Sequence, residues 1–215
     1  MSNIINNKRA QCNAILNYTK KDVQVSSIKT CYKGFFELKE YQLSHQLYSG
    51  ESSEVITREI FERGDAVVVI VYDKILDTVL FVEQFRPGAL RSGEEPWLLE
   101  FIAGMFDENE SPIDVAIREA SEEAGLAISA KQLTPVMKYL SSPGGMSECI
   151  HLYIAQIDSS IINLNQTYGL AQEHEDILLH LIPRVKALEL LTAGKITNAA
   201  TIIGLQWLAM NYQKL

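Results

Sequence analysis

The chain has 215 residues, of which 47% are hydrophobic, and a formal net charge of −8. That length accommodates one large domain, or a domain of about 150 residues with a smaller one beside it. The acidic balance argues against a partner held through nucleic-acid phosphates. No apolar run reaches the length of a membrane span, and the longest, Ala66–Tyr72, reads as a strand.

The N-terminal stretch MSNIINNKRAQCNAI lacks the apolar core of a signal peptide. Cys12, Cys31 and Cys149 are scattered, so neither a disulfide framework nor a thiolate metal site is expected, and a reducing cytoplasm is the expected location. From Asp22 onward apolar residues alternate through Val23, Val25 and Ile28, then Phe36, Leu38, Tyr41 and Leu43. Gly34 and Ser49-Gly50 punctuate the pattern. This predicts a three-stranded meander over Val23–Tyr32, Phe36–Gln46 and Glu54–Glu62. So small a sheet has little core of its own and needs a larger body or a second subunit to pack on.

A different pattern begins at Asp65. Ala66–Tyr72, Thr78–Phe85 and Pro96–Ala103 read as strands, the last running straight into the segment Gly104–Leu126. Within that segment Ser111-Pro112-Ile113-Asp114 carries an N-cap, a proline at the first helical position and an acid three residues after the cap. Gly125 stands where a glycine would end the helix. Ala116, Ile117, Ala120 and Ala124 share one stripe, while Glu119, Glu122 and Glu123 cluster on another face. Three like charges on adjacent turns repel each other, and a carboxylate near a helix C-terminus is disfavoured. The arrangement is either a solvated acidic face or a set of hard oxygen ligands for Mg²⁺ or Mn²⁺.

Further strands are predicted near Pro135–Leu140, Cys149–Ile157 and Ile177–Ile182, with loops at Ser142-Pro143-Gly144-Gly145 and Gly169–Asp176. Helices are predicted over Val185–Leu191, ending at Gly194, and from about Asn198. The last carries Ile202, Ile203, Leu205, Trp207, Leu208 and Met210 and is expected to be buried on more than one face. His45, His151, His174 and His180 show no metal-ligand spacing.

The segment from Gly104 follows the spacing G-x5-E-x7-R-E-x-x-E-E-x-G with Leu126 after it. In this it resembles the box of the Nudix hydrolases. The resemblance implies an α/β protein: an α/β/α sandwich with a mixed sheet over residues 64–215, preceded by a small antiparallel β-sheet domain over 1–63. It implies hydrolysis of a nucleoside diphosphate linked to another group, assisted by two or three Mg²⁺ or Mn²⁺ ions. Glu119, Glu123 and the carbonyl of Ala103 would then hold metal, with Glu122 supporting and Arg118 orienting a box carboxylate. Glu110 would be structural, and Gly104 would serve the backbone of the loop.

Features outside the box narrow the resemblance to the ADP-ribose-cleaving branch. They are Pro143, seventeen residues past Leu126, and the segments Arg58–Gly64, Pro96–Glu100, Glu173–Asp176 and Asn198–Leu208. By that match Glu173 would be the catalytic base and Glu175 a further metal ligand. Phe35, Arg58, Arg86, Met105, Ser142 and Glu148 would contact substrate. A homodimer with swapped N-terminal domains is also implied. Two alternatives stay open: hydrolysis of another nucleotide sugar such as GDP-mannose, or a non-catalytic Nudix ligand sensor. The intact box and the absence of a basic helix after Val185 speak against the sensor.

Overall fold

The computed structural model describes residues 15–93, 95–107 and 109–215. The chain divides into two compact units, residues 1–62 and 63–215.

The first unit is an antiparallel sheet of β1 (Val23–Lys33), β2 (Glu37–His45) and β3 (Ile56–Glu62), in that order. The predicted meander is present, with the third strand starting at Ile56 rather than Glu54. Every residue of β1 is exposed. Apolar side chains stand exposed on β1 and in the turn after it: Ile28, Tyr32 and Phe35 are 54%, 64% and 87% accessible.

The second unit is built on a mixed sheet. Its strands are β4 (Ala66–Asp73), β5 (Thr78–Phe85), β6 (Trp97–Glu100), β7 (Ile102–Met105), β8 (Leu133–Leu140), β9 (Cys149–Gln156), β10 (Thr167–Tyr168) and β11 (Ile177–Pro183). They run β10-β11-β5-β4-β9-β8, with β6 paired to β5 and β7 to β4. Among the described residues only β4 and β9 are parallel neighbours; the other pairs are antiparallel.

β4 explains why its sequence is apolar without alternation. Val67, Val69 and Val71 enter a core that contains Val115, Ala116, Ala120 and Ala124 of α1 (Pro112–Ala124). Ala66, Val68, Ile70 and Tyr72 enter a second core with Ala187 of α2 (Arg184–Thr192) and Leu205 and Leu208 of α3 (Ala199–Asn211). A strand covered by helices on both faces needs apolar side chains on both. The result is the expected α/β/α sandwich.

The expected single strand over Pro96–Ala103 is instead two. β6 follows β5, β7 follows β4, and Phe101 marks the crossing. Phe101 turns into the second core, where its ring stacks on Phe81 with centroids 5.3 Å apart. β7 also continues through Gly104 and Met105, so the box begins on a strand and not in a loop. β10 has only two residues and gave no periodic signal.

α3 runs Ala199–Asn211, one residue after its expected start at about Asn198. Asn198 caps it, its side chain accepting from the Thr201 amide at 3.0 Å. Thr201, Gly204, Leu205 and Leu208 form its one fully buried face, Ile202, Ile203 and Trp207 are half-buried at the edge of the core, and Met210 is 72% exposed. Among its large apolar side chains only Met210 is exposed, so the helix is covered on most sides within the chain.

Candidate active site

α1 begins as its sequence dictates. The Ser111 side chain accepts from the Asp114 amide, the Asp114 carboxylate returns the bond to the Ser111 backbone, and Pro112 occupies the first turn. Gly125 ends the helix at φ 63°. Leucine or alanine there would be strained in φ and would also meet the Tyr168 ring. The Gly169 amide donates to the Glu122 carbonyl at 3.2 Å, which ties the segment after β10 to the end of the box helix.

The acidic residues of α1 are not a solvated face. Glu119 is 9% and Glu123 is 2% accessible. Both lie against β7. Glu123 Oε2 accepts from the Ala103 amide at 3.0 Å. Glu119 covers Gly104 so closely that a methyl group at Gly104 would occupy its carboxylate. The glycine is therefore required by close approach of a side chain, and the expectation that it serves loop geometry is corrected.

Arg118 holds the cluster together. Its Nε and Nη2 donate to Glu110 at 3.0 Å each, Nη1 donates to Glu119 at 2.6 Å and to Glu122 at 3.0 Å, and Nη2 donates to the Met105 carbonyl at 3.1 Å. Glu110 also accepts from the Asp107 amide at 3.0 Å, bracing the loop before the helix. Its carboxyl is held below the usual range, chiefly by Arg118. One guanidinium thus serves three carboxylates. Glu123 has no ion-pair partner among the described residues.

Electrostatics reflect that shortage of cations. Burial pushes Glu119 up to about 7 against the pull of Arg118, with Glu122 and Glu175 adding repulsion. Burial pushes Glu123 up to about 8; the Ala103 amide opposes the shift, while Glu119 and Glu175 add to it. Glu175 lies in the segment between β10 and β11, near enough for its charge to bear on both box carboxylates. Its Oε2 accepts from the Leu170 amide at 3.2 Å, and Gly169 has no room for a side chain because Glu175 packs on it. Buried carboxylates with too few counter-charges suit a hard divalent cation, so the donor set fits Mg²⁺ or Mn²⁺. Glu173 is exposed in the short 3-10 turn Ala171–Glu173, which His174 closes at φ 58°.

The remaining predicted residues have defined surroundings. Arg86, at the end of β5, donates through Nε and Nη2 to Glu100 Oε2 at 2.9 and 2.8 Å. Glu148 is buried, accepts from the Ser141 hydroxyl and pairs with Arg63 at 3.2 Å. The Ser142 carbonyl accepts from the Gly145 and Met146 amides and forms the turn around Pro143. The Met105 backbone belongs to the Arg118 network. Phe35 and Arg58 lie in the first unit. Phe35 stands edge-on to Phe36 with centroids 4.7 Å apart, and Arg58 Nη1 donates to the Thr57 carbonyl at 2.8 Å.

Sequence reasoning missed the support behind Arg86. Glu100 is 3% accessible; besides Arg86 it accepts from Gln84 Nε2 at 3.4 Å and from Asn198 Nδ2 at 2.8 Å. Asn198 is also the N-cap of α3, so one side chain caps a helix and fixes a buried carboxylate. The available signal was an acid inside the apolar run Trp97-Leu98-Leu99-Glu100-Phe101, since a charge there must be paired.

The family model described as the NUDIX domain matches residues 62–193. The ADP-ribose pyrophosphatase of Escherichia coli is 43% identical over 203 residues, covering 94% of this chain and 95% of the relative. That of Haemophilus influenzae is 43% identical over 210 residues, covering 96% and 95%. A GDP-mannose pyrophosphatase of Salmonella arizonae is 31% identical over 156 residues, covering 72% of this chain and 78% of the relative. Among solved structures, one titled as the crystal structure of ADP compounds hydrolase superposes with a TM-score of 0.66 at 19% identity, over 90% of this chain and 95% of that one, a likeness of fold. With the box intact, its carboxylates buried on β7 and near full-length relatives in hand, the chain belongs to the Nudix family.

Proposed function

We propose that this protein is a pyrophosphatase that hydrolyses the diphosphate of ADP-ribose to AMP and ribose 5-phosphate with Mg²⁺ or Mn²⁺. One observation carries the chemistry: Glu119 and Glu123 are buried side by side against β7 with too few cations to balance them. The substrate class rests on the relatives, since the ADP-ribose pyrophosphatases match over nearly the whole chain at 43% and the GDP-mannose enzyme over 72% of it at 31%.

In this reading Glu119, Glu123, Glu175 and the Ala103 carbonyl hold two or three ions. When bound, those ions supply neutralisation of the diphosphate charge and acidify water. Arg118 fixes the carboxylates of Glu119 and Glu122 before substrate arrives, so no reorientation is needed during reaction. Glu173, on a short exposed turn, accepts the proton of the attacking water, a role suited to a carboxylate that closes on the substrate. Arg86 and Arg58 offer guanidinium forks to the phosphates. Met105, Ser142 and Glu148 contact the substrate, and Phe35 stacks on adenine.

The exposed apolar side chains of β1 (Val23, Val25, Ile28 and Tyr32) support a homodimer that exchanges its N-terminal sheets. Elution at monomer mass would contradict this. Free thiols at Cys31 and Cys149 are compatible with a cytoplasmic site, which cell fractionation tests. The catalytic proposal is tested by incubating the protein with ADP-ribose and Mg²⁺ and separating products. AMP with ribose 5-phosphate, absent when EDTA is added and strongly reduced in Glu173→Gln, is expected. Undiminished turnover in Glu173→Gln removes the base assignment.

A further inference from the structure

Outside the box, three donors of different chemistry meet where β4 and β9 begin. These strands are parallel neighbours in the register Ala66↔Ile150 and Val67↔His151. Residues two apart on a strand share a face, so Cys149 and His151 project together. Asp65, immediately before β4, lies beside them. Its Oδ1 accepts from the Cys149 amide at 3.0 Å, and its Oδ2 stands 4.0 Å from His151 Nε2. A thiol, an imidazole nitrogen and a carboxylate oxygen come within 4.8 Å of one another.

His151 supplies an independent observation. It is 7% accessible, yet its Nδ1 has no hydrogen-bond partner. Buried polar atoms are normally satisfied, so this ring has one nitrogen still without a partner, while its other nitrogen, Nε2, is the one that faces Asp65. The Phe106 ring, 5.2 Å away, walls one side. Asp65 keeps 43% of its side chain accessible and opens the other side to solvent.

We propose that Asp65, Cys149 and His151 bind one divalent transition-metal ion of the zinc class, apart from the cations of the box. Thiolate and imidazole donors select such an ion, whereas the all-oxygen box carboxylates select a hard one. Ligands on a tetrahedral centre stand roughly 3.3–3.7 Å apart by the usual bond lengths. Side-chain rotation covers the remaining gap, because the backbone positions are already fixed by the sheet. Three protein ligands leave the fourth position to water on the Asp65 side. Lys138, paired across β8 and β9 with His151, brings an opposing positive charge. The carboxylate and the thiolate together outweigh it.

The test titrates the full chain with Co²⁺ in excess Mg²⁺, which occupies hard-oxygen sites. A thiolate-to-cobalt charge-transfer band that saturates near one equivalent is expected. It should vanish in Cys149→Ser, persist in Cys31→Ser, and need at least about tenfold more metal in His151→Asn. No band, or a band indifferent to Cys149→Ser, overturns the proposal. A second measurement needs no variant: in wild-type protein with Mg²⁺ present, Zn²⁺ should slow alkylation of Cys149 about tenfold or more and leave Cys31 unchanged. Equal Cys149 rates with and without Zn²⁺ would also overturn it.

Discussion

Replacing Glu123 by glutamine should make the metal-free protein more stable while destroying its activity. Glu123 is 2% accessible and its carboxyl is pushed from 4.5 to about 8. Between those values the folded state keeps a proton that the unfolded chain releases. Stability contributed at this position is therefore undiminished below 4.5, falls as pH rises through the window, and levels off above about 8. Each pH unit is worth about 1.4 kcal/mol, so after allowance for local relaxation the wild type forfeits about 3 kcal/mol near pH 8. Glutamine has no charge to desolvate, and its carbonyl can still accept the Ala103 amide. Denaturant melts in EDTA should show Glu123→Gln more stable than wild type by about 2–4 kcal/mol near pH 8, with the difference vanishing near pH 4.5. Added Mg²⁺ should reverse the order, because only the wild type gains from binding. A variant less stable than wild type in EDTA near pH 8, or wild-type stability that rises across the window, would refute the reasoning.

Two further substitutions probe the same geometry from other directions. Gly104→Ala places a methyl where the Glu119 carboxylate lies and should lower Mg²⁺-dependent kcat/KM by about 100-fold or more with the circular dichroism spectrum unchanged; near-normal turnover would mean that Glu119 acts from elsewhere. Glu100→Gln keeps the bond from Asn198 but releases the Arg86 guanidinium, so KM should rise about tenfold with kcat within a few-fold. A fall in kcat at constant KM would assign Arg86 to the chemical step.

How much of this was legible in the sequence differs by element. The box helix was readable to its caps, because Ser111, Pro112, Asp114 and Gly125 each act on their own backbone neighbourhood. β4 was readable as a strand, although its two-faced burial needed the helices on both sides. The break at Phe101 was not readable, since a continuous apolar run does not say when the chain changes its pairing partner. The role of Gly104 was misread for a related reason: its φ is ordinary and the constraint comes from Glu119, fifteen residues away in sequence. Asn198 and Glu100, ninety-eight residues apart, and Asp65 with Cys149, eighty-four apart, could be joined only by the sheet. The spacing of histidines and cysteines along the chain could not reveal a donor group assembled across two parallel strands.

If the box carboxylates act on ADP-ribose, the choice of substrate and the need for Glu119 must appear together. The most direct measurement is kcat/KM for ADP-ribose and for GDP-mannose under saturating Mg²⁺, in wild type and in Glu119→Gln. The wild type should prefer ADP-ribose by at least about tenfold, equivalent to about 1.4 kcal/mol of transition-state discrimination, with both activities lost in Glu119→Gln. A preference for GDP-mannose, or turnover that survives loss of the Glu119 carboxylate, would contradict it.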